Sequence, residues 1–131
     1  MATTGIIELH SSDGLYCSVF IGTDASPDEI ESHWFTYCAL VDNDTEKHQG
    51  RLNWVYVATN FIVYLHRVMY SHRDMIECNT VAICPPNCEW DSIYRYKIAP
   101  IEERYPQSEV WLAEATTFEV IKGSEGEDDE S

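Results

Sequence analysis

The first 46 residues contain neither lysine nor arginine, and the whole chain of 131 residues has eight such bases against 23 acids. A formal charge of −15 excludes a direct grip on nucleic acid or on an anionic membrane, because both would repel it. Long unbroken apolar runs are missing as well. The longest, residues 52–70, is interrupted by Asn53, Asn60, His66 and Arg67, so burial in a core is favoured over insertion into a bilayer. The opening "MATTGIIELHSSDG" has no basic stretch and no apolar run of signal-peptide length, and the expected location is the cytoplasm. There is no G-x-G-x-x-G, P-loop, H-E-x-x-H or EF-hand pattern. No cofactor is expected, and no enzymatic reaction is indicated.

Hydrophobic residues make up 44% of the chain and aromatics 12%, which is the composition of a folding polypeptide and not of a disordered one. The length fits one domain, assigned to residues 1–122, with "GSEGEDDES" at 123–131 as an acidic tail. The charge is segregated along the chain. Residues 1–46 hold nine acids, residues 47–73 hold four bases and no acid, and the tail adds five acids. Even without the tail the body keeps about ten negative charges, above the roughly 2 to 8 that serves solubility in a small domain.

Local patterns predict an α+β fold. "GIIELHSSDGLYCSVFIG" reads as a hairpin turning at Asp13-Gly14, with strands near 5–10 and 15–21. "SPDEIESHWFTYCALV" carries a capping box, with Ser26 as N-cap, Pro27 at the first helical position and Glu29 three residues after the cap. Ile30, Trp34, Tyr37, Cys38 and Val41 then form one apolar stripe. Polar residues recurring every seven positions, Asn53, Asn60 and Arg67, predict a second, largely buried helix over 51–72. "MIECNTVAIC", "SIYRYKI" and "EVWLAEATTFEVIK" supply the remaining strands. The expectation is an antiparallel sheet of about five or six strands with two helices packed on one face.

Two constellations could carry chemistry. Cys78, Cys84 and Cys88 cluster around Pro85-Pro86, with His66 and His72 upstream. Their spacings differ from those of zinc knuckles, and the alternatives are a metal site, a Cys84–Cys88 disulfide or buried thiols. Cys17 and Cys38 lie in the same half as His10 and His33, but on a strand and an apolar helix stripe, where inert thiols are the ordinary outcome. An odd total of five cysteines forbids complete internal pairing.

The charge pattern points instead to a macromolecular partner. The leading expectation is a non-enzymatic acidic protein that docks on a basic protein surface, for instance on a nucleic-acid-binding protein, as a nucleic-acid mimic of the viral inhibitor or immunity-protein kind. Its contacts are assigned to Asp24, Asp28, Glu29, Glu31, Asp42, Asp44 and Glu46, which flank both ends of the first helix with no base nearby in sequence. Trp90 and Tyr105 are added as exposed aromatic anchors. The alternatives are an assembly protein that forms a homodimer through its aromatic strands, and a Cys/His metal-binding protein.

Overall fold

A computed structural model of the chain describes residues 3–11, 14–22, 24–42, 54–69, 81–84, 92–101, 112 and 114–123. Five strands and two helices follow in the order β1 (Gly5–Ser11), β2 (Gly14–Ile21), α1 (Pro27–Asp42), α2 (Trp54–Met69), β3 (Val81–Cys84), β4 (Tyr94–Pro100) and β5 (Thr116–Lys122). The α+β class and the two helices packed against a sheet are as the sequence predicts.

The hairpin forms where Asp-Gly places it. β1 and β2 pair antiparallel from Gly5↔Ile21 to Ser11↔Gly14, and Gly14 takes a φ of 128°, which an L side chain rarely adopts. The strand order is β3-β2-β1-β4-β5, so β1 lies at the centre. One pair departs from expectation: β1 and β4 run parallel, in register from Gly5↔Tyr94 to Leu9↔Ile98, which makes the sheet mixed. Side-chain alternation reports only which face a residue occupies, and it is the same for either strand direction.

Alternation divides the sheet into two faces. Ile7 and Leu9 of β1, Val19 and Ile21 of β2, and Tyr96 and Ile98 of β4 point to one side, where they share a core with Ile30, Trp34, Tyr37 and Cys38 of α1 and Trp54, Val57, Phe61 and Leu65 of α2. Both helices therefore cover the same face. The second helix is not as buried as its length of apolar sequence implies, since Val55, Tyr56, Val63 and Val68 are exposed and burial follows one stripe only. Positions 51–53 and 70–72 of the predicted helix lie outside the described residues.

Aromatic rings knit the two helices. His33 meets Tyr64 with ring centroids 6.4 Å apart, Tyr37 meets Phe61 at 5.2 Å, and the Tyr37 hydroxyl donates to the Val57 carbonyl at 2.9 Å. The start of α1 is fastened to the sheet by the Ala25 N–H, which donates to the Thr3 carbonyl at 3.0 Å, and by the Tyr96 hydroxyl, which donates to the Ala25 carbonyl. Gly5 permits this approach. A Cβ built there would lie 2.9 Å from the Ala25 Cβ and 3.3 Å from Tyr96 Cε2.

Candidate functional site

The acids chosen from sequence separate into distinct environments. Asp28, Glu29 and Glu31 are exposed at the N-terminal end of α1, where unpaired backbone N–H groups and the helix dipole favour negative charge. Asp24 is also exposed, and its φ of 58° makes it the residue that turns the chain from β2 into the helix. Aspartate tolerates that left-handed geometry better than most residues. Asp42 sits at the other end of the 16-residue helix, about 20 Å away at 1.5 Å per residue. Its carboxylate accepts the Leu112 N–H at 2.9 and 3.2 Å, which fastens α1 to the segment before β5. Burial, with the nearby Glu114 charge, raises the Asp42 carboxyl above its ordinary value despite that hydrogen bond. Asp44, Glu46, Trp90 and Tyr105 lie outside the described residues.

Two of the described cations lie on the far face of the sheet. α1 has no Lys or Arg, and among the described residues no ion pair joins Asp28, Glu29 or Glu31 to a base. Arg95 and Lys97 of β4 alternate with the buried Tyr96 and Ile98, so they point away from the helices. The Lys122 ammonium donates to the Ser92 carbonyl at 2.8 Å. Arg67 is exposed in the last turn of α2, and Lys122, through Ser92 and its neighbour Ile93 on Thr4, lies at the end of the sheet to which the start of α1 is fastened.

A second ionic cluster occupies the sheet face opposite the helices, and sequence reasoning missed it. Glu8 Oε2 accepts from Arg95 Nη1 at 2.5 Å, and Glu8 Oε1 accepts from His10 Nε2–H at 2.9 Å. Alternation within β1 was the only available signal, since it sets Glu8 and His10 two residues apart on one face. Arg95 joins them only through the parallel pairing with β4. Burial alone would raise the Glu8 carboxyl, but hydrogen bonds from His10 and Arg95, together with the Arg95 charge, outweigh it and hold the group below its ordinary value of 4.5.

A lowered folded value means that the native state binds fewer protons than the unfolded state around and below pH 4.5. The cluster therefore stabilises the fold above that pH, and its contribution is lost as pH falls through the lowered value. Urea titrations between pH 6 and 3 should show the wild type losing stability more steeply than Glu8→Gln. Parallel profiles would show that the pair is energetically silent.

The cysteine sites resolve in part. Cys84 is buried, and Cys88, its partner in the alternative disulfide, lies outside the described residues. By register with Ser18, Cys84 lies on the face away from the helices, whereas His66 belongs to the helix layer. Cys78, Cys88 and His72 lie outside the described residues, and among the described residues no group of three or more His, Cys, Asp or Glu is placed to hold a metal ion. Burial, with a smaller effect of the Asp42 charge, pushes the Cys38 thiol far up, and burial also raises Cys17. Both thiols are thereby held from the nucleophilic thiolate form. His10 is on the opposite sheet face from Cys17, because Cys17 is registered with Leu9.

Two of the four tryptophans are core residues, Trp34 and Trp54, as the helical stripes imply. Among the described residues no helix is long and apolar enough to cross a membrane. Compared with known proteins, the chain matches no family model, no curated protein and no solved structure.

Proposed function

We propose that the chain is a non-enzymatic binding protein that presents the N-terminal end of α1 to a basic protein surface. The observation that carries this reading is the exposure of Asp24, Asp28, Glu29 and Glu31 at one helix end, with Arg95 and Lys97 turned to the far side of the sheet. An anionic patch of this kind speeds encounter with a Lys/Arg-rich partner, and its reach is about one Debye length, roughly 8 Å in physiological salt. Within α1, Asp28, Glu29 and Glu31 are spread over about 4.5 Å of helix axis. That spacing is comparable to the one charge per roughly 1.7 Å along duplex DNA, which supports a basic groove that ordinarily holds nucleic acid as the docking surface.

The test combines capture with charge reversal. The full chain is used to retrieve binding proteins from its native host, and the affinity of the retrieved protein is measured at two ionic strengths. The Glu29→Lys/Glu31→Lys variant should bind several-fold more weakly, and its affinity should depend less on salt. The Glu29→Gln/Glu31→Gln variant should fall between them. Equal affinities for all three proteins at both ionic strengths would overturn the reading.

A further inference from the structure

We propose that β5 is a self-pairing edge, along which a second copy of this chain adds antiparallel about a two-fold axis at Phe118. β5 is the last strand in the sheet order among the described residues, and its positions from Thr117 to Lys122 are exposed apart from Phe118, which is half-buried. Val120 and Ile121 are each 45% exposed. Edge strands of this kind present unpaired backbone groups, which are satisfied by pairing with another chain. The irregularity in the β4–β5 register falls at Ile121, and bulges discourage pairing, so the usable length is residues 116–120.

Glu119 within that length, with Glu114 and Lys122 flanking it, favours a second copy in one register. A two-fold axis at Glu119 would set Glu119 against its own copy. An axis at Phe118 sets Phe118 against Phe118, Val120 against Thr116 and Glu119 against Thr117, and it brings Lys122 of each copy towards Glu114 of the other. Opposite charges therefore meet at both ends, and no like charges are opposed. The faces agree as well. Thr116, Phe118 and Val120 pair with Pro100, Ile98 and Tyr96, so they share the helix side of the sheet. There Phe35 of α1, 43% exposed, lies 6.3 Å from the Phe118 ring, centroid to centroid. Across the axis the two Phe35–Phe118–Val120 sets would join into one apolar patch beneath a continuous ten-stranded sheet.

This inference is independent of the acidic docking face, and salt separates the two. Two copies of charge −15 repel, so self-association should strengthen as salt is raised, whereas docking on a basic partner should weaken. Sedimentation equilibrium over a concentration series of the full chain, at low and high salt, is the experiment. Thr117→Glu places two like-charge pairs opposite Glu119 and should weaken the dimer about 3- to 10-fold, while Thr117→Lys should tighten it by a similar factor. Thr36→Lys, an exposed position on α1, changes net charge equally and should leave the dimer near wild type. A monomer at every concentration and salt, equal association of wild type and both Thr117 variants, or equal tightening by Thr36→Lys and Thr117→Lys would each overturn the proposal.

Discussion

Replacing Trp34 with alanine is expected to cost about 3 to 5 kcal/mol, the range for removing a large buried aromatic side chain. Trp34 is buried at the junction of three aromatic neighbours. Its ring centroid lies 4.9 Å from Phe61 in an edge-to-face arrangement, 5.9 Å from Tyr37 and 6.4 Å from Trp54. Each such ring pair adds to the hydrophobic transfer energy, and the cavity left behind spans the seam between α1 and α2. Domains of this size are stable by only about 5 to 15 kcal/mol, so the variant would sit near the edge of folding. Urea unfolding should show a lowered midpoint with an unchanged m value. A loss below about 1 kcal/mol would mean that the helix pair is not held by this cluster. Trp34→Phe, which keeps a ring in the site, should lose markedly less than Trp34→Ala.

Gly5→Ala is expected to destabilise the fold by about 1 to 3 kcal/mol, although alanine is the smaller perturbation in ordinary strands. The reason is space. The added methyl would stand 2.9 Å from the Ala25 Cβ, a separation that Cβ atoms do not tolerate, with Tyr96 Cε2 at 3.3 Å on another side. Ala25 cannot retreat freely, because its N–H and carbonyl are held by Thr3 and Tyr96. The strain falls on β1, the central strand, and on the joint that seats the acidic end of α1. Removing the opposing methyl should relieve it: Gly5→Ala/Ala25→Gly is expected to recover part of the loss, a non-additivity diagnostic of direct contact. Thermal melts of the two single variants and the double variant give the measurement. Strict additivity would show that the cost comes from elsewhere. Asp42→Asn provides a comparison, since it keeps an oxygen for the Leu112 N–H and should change stability little.

Those elements whose causes are local were legible in the sequence. The Ser-Pro-Asp-Glu start predicts α1, and the helix opens at Pro27 with Ile30, Trp34, Tyr37 and Cys38 buried as the stripe requires. Asp13-Gly14 predicts the first hairpin, and the seven-residue recurrence of polar positions predicts α2 where strand propensity alone would have misled. The acidic end of α1 was legible for the same reason, being three residues of one helical turn. Asp42 was not, because its neighbour Leu112 is 70 residues away and no local pattern announces that hydrogen bond.

By itself, then, the sequence determined the fold class, both helices, the buried stripe of α1 and the first turn. The tertiary structure alone decided the strand order, the parallel β1–β4 pair, the meeting of Glu8 with Arg95 across 87 residues, and which strands lie outermost among the described residues. The physical reason is the range of the interactions. Helix caps, turns and burial stripes are settled within a few residues by backbone geometry and side-chain periodicity. Strand neighbours and ion pairs across the sheet are chosen only when distant segments compete to bury the same apolar faces.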